Sequence, residues 1–141
     1  MSNDVEILET SFDLIAPRGD ELMDEFYSRL FDAAPAVRPL FSADMRKQKA
    51  MLLSALLLIR KSVRNLDGLV PTLHALGARH VAYGALPEHY PVVGSVLIES
   101  MAAIAGDAWT AEIESAWGAA FNVIAGAMIE GAESAELAEA A

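Results

Sequence analysis

The sequence predicts an all-α globule of crossed helices, six longer ones and one short. Three observations predict it. No alternating run long enough for a strand is present, Ala and Leu dominate, and apolar residues recur at helical spacing between Pro, Gly and Asp breaks. The length, 141 residues, suits one domain. A chain of that size can bury roughly 68–70% of its unfolded surface, enough for a sizeable core.

The first helix is expected over Asn3–Ile15. It stops at Ala16-Pro17-Arg18-Gly19, because proline disfavours helix in the residue before it. The second starts near Asp20, whose carboxylate can cap free amides, and carries Leu22, Phe26 and Leu30 on one stripe. Pro35 and Pro39 confine residues 35–41 to a short turn-like helix. The next helix is expected from Ala43 to Asn65, with Gln48, Leu52, Ala55 and Ile59 sharing one face. Asn65-Leu66-Asp67-Gly68 reads as a break, and Pro71 suits the first turn of the helix that follows. On that helix Leu73, Leu76, Gly77, His80 and Gly84 line up.

Leu86-Pro87-Glu88-His89-Tyr90-Pro91 reads as another break. A helix from Pro91 to about Ala105 then carries Val93, Leu97, Met101 and Ile104. Gly106-Asp107 ends it, and Thr110 can cap a last long helix bearing Ile113, Trp117, Phe121, Ile124 and Met128. The domain is expected to occupy residues 1–131, with 132–141 a polar, frayed tail.

Composition excludes several chemistries. There is no cysteine, so disulfides, zinc–thiolate sites, cysteine-held iron–sulfur clusters and thiol nucleophiles are ruled out. The net charge is -10, and every Lys and Arg lies between Arg18 and Arg79. Residues 80–141 hold nine acidic side chains and no cation, which a duplex-binding face would need; no nucleic-acid partner is expected. The clusters Arg46/Lys47/Lys49 and Arg60/Lys61/Arg64 read as solvated helix faces. The opening Met1–Glu6 lacks a basic segment followed by an apolar core, so no secretory signal is expected. The longest uncharged run, Ser115–Ile129, is 15 residues. That is short of the ~18–20 that span a bilayer. No membrane span is expected, and the cytoplasm is the expected compartment.

No Ser/His/Asp triad, phosphate loop or dinucleotide fingerprint is present. What remains is a set of polar groups on otherwise apolar faces: Tyr27, Gln48, His80 and Tyr90. Singly, each reads as an ordinary hydrogen-bonded core residue. Their order changes that reading. Gln48 and His80 sit on the apolar stripes of two helices joined by a short break, so both can face one slot.

At these residues the sequence resembles the single-domain bacterial globins, close to the Vitreoscilla-type haemoglobins and the globin portion of flavohaemoglobins. The stretches that carry the resemblance are Phe26-Tyr27-Ser28-Arg29-Leu30-Phe31, Pro35-Ala36-Val37-Arg38-Pro39-Leu40-Phe41, Leu76-Gly77-Ala78-Arg79-His80, His89-Tyr90-Pro91-Val92-Val93-Gly94 and Ala116-Trp117-Gly118-Ala119-Ala120-Phe121. They occur in family order over about residues 3–131.

The resemblance implies a globin fold around haem b (iron protoporphyrin IX), with His80 as the proximal iron ligand. It implies Phe41 wedged against the porphyrin, Tyr27 and Gln48 above a bound gas, and Leu52 shaping the distal pocket. Val93, Trp117 and Phe121 would line the haem, and Tyr90 would stand beside the proximal histidine. By position, either Arg79, which adjoins the ligand, or the Arg46/Lys47 cluster, at the entrance to the distal helix, could pair with haem propionates. The implied ligands are dioxygen, nitric oxide and carbon monoxide. The implied function is reversible dioxygen binding. The alternatives are nitric oxide dioxygenation with an external reductase, and haem-based gas sensing. A globin-like interaction module without haem is disfavoured by the joint presence of His80, Phe41, Tyr27 and Gln48.

Two departures bear on mechanism. The family's proximal glutamate falls at Ala132 here, between Glu130 and Glu133, and Phe121 stands where a tyrosine is common. Peroxidase-like chemistry is correspondingly disfavoured.

Overall fold

Six α-helices carry the fold in the computed structural model, which describes residues 2–82 and 84–140: α1 (Ser2–Ile15), α2 (Gly19–Ala33), α3 (Arg46–Ser62), α4 (Leu66–Ala82), α5 (His89–Ala105) and α6 (Ala111–Ala140). Short 3₁₀ turns at Ala16–Arg18, Pro35–Leu40, Val63–Asn65 and Gly106–Ala108 join them. Among the described residues there is no strand. The all-α expectation therefore holds.

Several boundaries differ from expectation, each for a local reason. Asp20 does not cap α2; Arg18 is the cap residue, no side chain bonds there, and Asp20 sits inside the first turn. α3 starts at Arg46 rather than Ala43, because the Asp44 carboxylate accepts the Arg46 backbone N–H (3.1 Å) and its guanidinium, holding the residues before it out of the helix. The segment 65–68 is not a break. Asn65 Oδ1 accepts the Gly68 N–H at 3.2 Å, which is N-cap geometry, so α4 begins directly at Leu66. Pro71 consequently lies inside α4 rather than in its first turn. α5 starts at His89, two residues early, with Pro91 within its first turn.

Thr110 does cap α6, its Oγ1 accepting the Ile113 N–H at 3.2 Å, with Glu112 and Glu114 placed favourably for the helix dipole. α6 runs past Gly131 to Ala140. Its Ala/Glu-rich end has high helical propensity. The last residue of the expected tail, Ala141, lies outside the described residues.

The apolar faces bury two clusters. The larger joins α1 (Leu8, Phe12, Ile15), α2 (Leu22, Met23, Phe26, Tyr27, Leu30), α5 (Val96, Leu97, Met101) and α6 (Ala116, Trp117, Ala120). The smaller joins α4 (Leu69, Leu73), Tyr90 of α5 and the later α6 residues Ile124, Ala125, Ala127 and Met128. The stretch His89–Ala108 is long and apolar enough by composition to cross a membrane. Gly94, Leu97, Ser100 and Met101 of α5 are buried, and the helix packs against α2 and α6.

One basic cluster is not merely solvated. Arg60 binds Asp13 (2.8 Å) and Glu9 (3.3 Å), and Arg64 binds Glu9 (2.7 Å), tying the end of α3 and the following turn to α1. A buried polar chain secures α1 to α6. Trp117 Nε1 donates to Ser11 Oγ at 2.9 Å, and Ser11 Oγ donates to the Ile7 carbonyl at 2.6 Å.

Ser11→Ala leaves the buried indole N–H without its acceptor and is expected to cost about 1–3 kcal/mol. Ser100→Ala removes only a bond to the Val96 carbonyl one turn back, and should cost less than about 1 kcal/mol. Urea denaturation of both variants checks the contrast; equal losses would count against the role given to Ser11.

Candidate functional site

Tyr27 lies on the buried stripe of α2, one turn from Leu30 and beside Phe26. The chain turns through Pro35–Leu40, where two prolines hold a tight 3₁₀ path, and delivers Phe41 back to α2. Tyr27, Phe31 and Phe41 meet edge to face or tilted, with centroids 5.4–5.9 Å apart. Phe31 was not singled out from sequence. Its position four residues after Tyr27 on a helix is the signal that could have found it.

Gln48, in the first turns of α3, reaches across to α2: its Nε2 donates to Tyr27 Oη at 3.0 Å. Leu52, one turn on, packs half-buried against the same cluster, as do Phe41 and Val93. Because the phenol oxygen accepts from the amide, its own hydrogen is directed elsewhere. Burial raises the Tyr27 pKa above its ordinary value, with the Gln48 bond pulling weakly the other way. The hydroxyl therefore stays a donor across the physiological range.

His80 lies in the last turn of α4, half-buried. Its Nδ1 is 2.7 Å from the Leu76 carbonyl, which can only accept, so the proton sits on Nδ1 and the ring's lone pair on Nε2. Burial lowers the His80 pKa; the Leu76 bond opposes this and the neighbouring Arg79 charge adds to it, and the net direction favours the neutral ring. A neutral imidazole with Nδ1–H anchored to a carbonyl is the state in which histidine ligates a metal. Leu76 as the anchor is a further partner that sequence reading missed, although i−4 on a helix is where it had to be.

Tyr90 packs beside this ring, with centroids 6.5 Å apart, and its buried hydroxyl finds no hydrogen-bond partner among the described residues. Burial raises its pKa. Glu130 bonds His74 on the surface at 3.2 Å, Ala132 is half-buried and Glu133 is exposed. The Nδ1 partner of His80 is thus a backbone carbonyl rather than a carboxylate.

The expected site residues fall into two groups. Tyr27, Gln48, Phe41, Leu52 and Val93 gather on the larger cluster. His80 and Tyr90 gather by the smaller one, against which Phe121 packs. Phe121 presses its ring on Gly94, where a Cβ would come within 2.3 Å of Cε1, so only glycine allows that packing. Trp117 faces α1, stacked near Phe12 and bonded to Ser11. Arg79 is exposed. Of the other histidines, His74 pairs with Glu130, and His89 Nδ1 accepts the Leu86 N–H at 3.0 Å in the loop before α5.

The chain is similar to known proteins along almost all of its length. The flavohemoprotein of Bacillus subtilis is 30% identical over 128 residues, 89% of this chain and 32% of that protein. The flavohemoprotein of Pseudomonas aeruginosa is 31% identical over 138 residues, 95% of this chain and 35% of that protein. The chain thus spans about a third of the length of these curated relatives. Among solved structures, a bacterial globin from Campylobacter jejuni superposes with a TM-score of 0.84 at 25% identity, covering 95% of this chain and 97% of that one. An engineered carbene transferase from Rhodothermus marinus shares the fold with a TM-score of 0.90 at 21% identity, covering 100% and 99%. The profile of the globin family matches residues 24–128, and with that match over most of the helices just described, the chain belongs to the globin family.

Proposed function

We propose that the protein is a haem globin that binds dioxygen reversibly, with His80 holding the iron and Tyr27 donating to the gas. The observation that carries this reading is the pairing of a neutral, Nδ1-anchored imidazole on one apolar cluster with a buried phenol–amide pair on the other.

These residues fit an iron porphyrin. One imidazole is a sufficient protein ligand when a macrocycle supplies four nitrogens, and neither phenol nor amide is a strong ligand for ferrous iron. Among the described residues no three His, Cys, Asp or Glu side chains gather to hold a bare ion. On α3, Met51 (47% exposed) and Leu58 (43%) flank the Gln48–Leu52 stripe, apolar surface that a flat ring would cover.

Bound haem, held through His80, would supply an iron able to take a diatomic gas. Everything else falls to the chain. His80 Nε2 presents its lone pair because Leu76 engages Nδ1–H. Gln48 holds the Tyr27 oxygen as an acceptor, which leaves the phenol hydrogen to be donated to a guest. Phe31 and Phe41 fix the phenol ring from two sides. A donor aimed at a guest that draws negative charge is worth on the order of 1.5–3 kcal/mol. Leu52 and Val93, packed against the same cluster as Tyr27, would keep water from the gas, and the exposed Arg79 would meet a propionate.

A second reading, nitric oxide dioxygenation, draws support from the flavohemoprotein relatives. Nitric oxide, dioxygen and one electron from a separate reductase yield nitrate, and the same distal donors would serve. Sustained nitrate production with added reductase and NADH favours it; a single stoichiometric burst returns the protein to reversible binding.

Three outcomes test the main reading. Wild type should take up one haem and show ferric, ferrous and carbonyl absorption spectra of an imidazole-ligated iron. His80→Ala should lose that ligation and regain it on adding imidazole, and an unchanged His80→Ala spectrum would exclude His80 as the ligand. Tyr27→Phe should speed dioxygen release by about 10–100-fold, the equivalent of one charge-assisted bond; stopped-flow dissociation at an unchanged rate would reduce Tyr27 to a core residue. Because burial raises the Tyr27 pKa above the ordinary value of about 10, release should be flat from pH 6 to 10 and quicken only above that, as the donor proton is lost. A break near neutral pH would contradict the assignment.

A further inference from the structure

α4 and α6 cross backbone on backbone. A Cβ added at Gly77 of α4 would lie 1.8 Å from the Met128 carbonyl oxygen of α6, and one at Gly131 of α6 would lie 2.1 Å from the His74 carbonyl oxygen of α4. Both obstacles are main chain, so no rotamer change relieves them. Non-bonded heavy atoms settle near 3.5 Å, so a single methyl group would have to lift α4 off α6 by roughly 1.5 Å. Elsewhere on α6 glycine is not required: nothing lies within 4 Å of a Cβ at Gly118 or Gly126. The close approach is specific to this crossing.

The crossing lies one turn from His80. Gly77 adjoins Leu76, whose carbonyl takes the His80 Nδ1 proton at 2.7 Å. The turn 76–80 therefore moves as one body, and any lift at Gly77 displaces both the imidazole and the carbonyl that orients it. Around the crossing, Leu69 and Leu73 of α4 and Ile124 and Met128 of α6 form one buried cluster with Tyr90, the ring beside His80.

We propose that Gly77 and Gly131 are the positioning residues for the His80 imidazole. By letting α4 seat directly on α6, they place the proximal ligand before haem arrives, rather than leaving haem to order α4. This rests on the haem reading above. The effect is mechanical: misplacing a reacting or ligating group by about 1 Å costs on the order of a hundredfold.

Two arms test it. In haem-free wild type, amide hydrogen exchange across 74–80 should be as slow as across 124–131, since one crossing holds both. Rapid exchange in 74–80 alone would overturn the proposal, because α4 would then be ordered by the cofactor. In the haem-loaded ferrous protein, Gly131→Ala should shift the iron–histidine stretching band in resonance Raman and speed haem transfer to excess apomyoglobin by about 10–100-fold, while Gly126→Ala leaves both unchanged. A folded Gly131→Ala with the wild-type band, or a Gly126→Ala that shifts it equally, would overturn the proposal. Should Gly131→Ala and Gly77→Ala not fold, the exchange arm decides. If wild type binds no haem through His80, the functional reading fails while the exchange result still judges the placement of α4.

Discussion

The 2.7 Å hydrogen bond from His80 Nδ1 to the Leu76 carbonyl is the constraint on which the site depends. It assigns the tautomer, and the tautomer leaves the lone pair on Nε2. Both partners belong to one turn of α4, so the tautomer is set within that helix, while the seat of the turn depends on how α4 packs against α6. A backbone carbonyl is a weaker acceptor than a carboxylate, so the imidazole donates as a neutral ring. Glu130 is engaged with His74 on the surface, and Ala132 has no carboxyl to offer.

The distal group follows a different logic. Tyr27 and Gln48 lie 21 residues apart on helices that share no regular repeat, and their 3.0 Å bond exists only because α3 returns across α2. The prolines of the 35–40 turn produce that return and place Phe41 against Tyr27 on the way. Phe31 and Phe41 then limit the phenol's motion, and its proton is kept by burial. Amide, phenol and rings act as a unit, and their separate contributions are not additive.

Charge contributes mainly to placing α3. Glu9, only 15% exposed at its side chain, receives both Arg60 and Arg64, and Asp13 takes the other edge of Arg60. Isolated surface pairs contribute little, but a shared, partly screened carboxylate between two guanidiniums is a network. It pins the far end of α3 to α1, while Gln48 and Lys49 engage α2 at the near end. The Arg60/Arg64 cluster that read as a solvated face thus has partners 47–55 residues earlier in the chain, beyond the reach of any local pattern.

The helices themselves were legible in the residue pattern, because helix formation is governed by spacing within a few turns: the stripe Leu22–Phe26–Leu30, the Thr110 cap and the proline-bounded 35–40 turn all stand where periodicity and capping put them. So was the short list of polar candidates on apolar faces. Local competition blurred the boundaries, as when Asn65 capped α4 where a break was read and Asp44 delayed α3. Long-range placement stayed hidden. Whether Trp117 faced a pocket or Ser11, which acid met Arg60, and that Gly77 and Gly131 would be pressed against carbonyls of the opposite helix depend on how whole helices cross. A one-dimensional pattern says which face of a helix is apolar, but the partner of that face is selected by three-dimensional packing, where each contact competes with every other for the same volume.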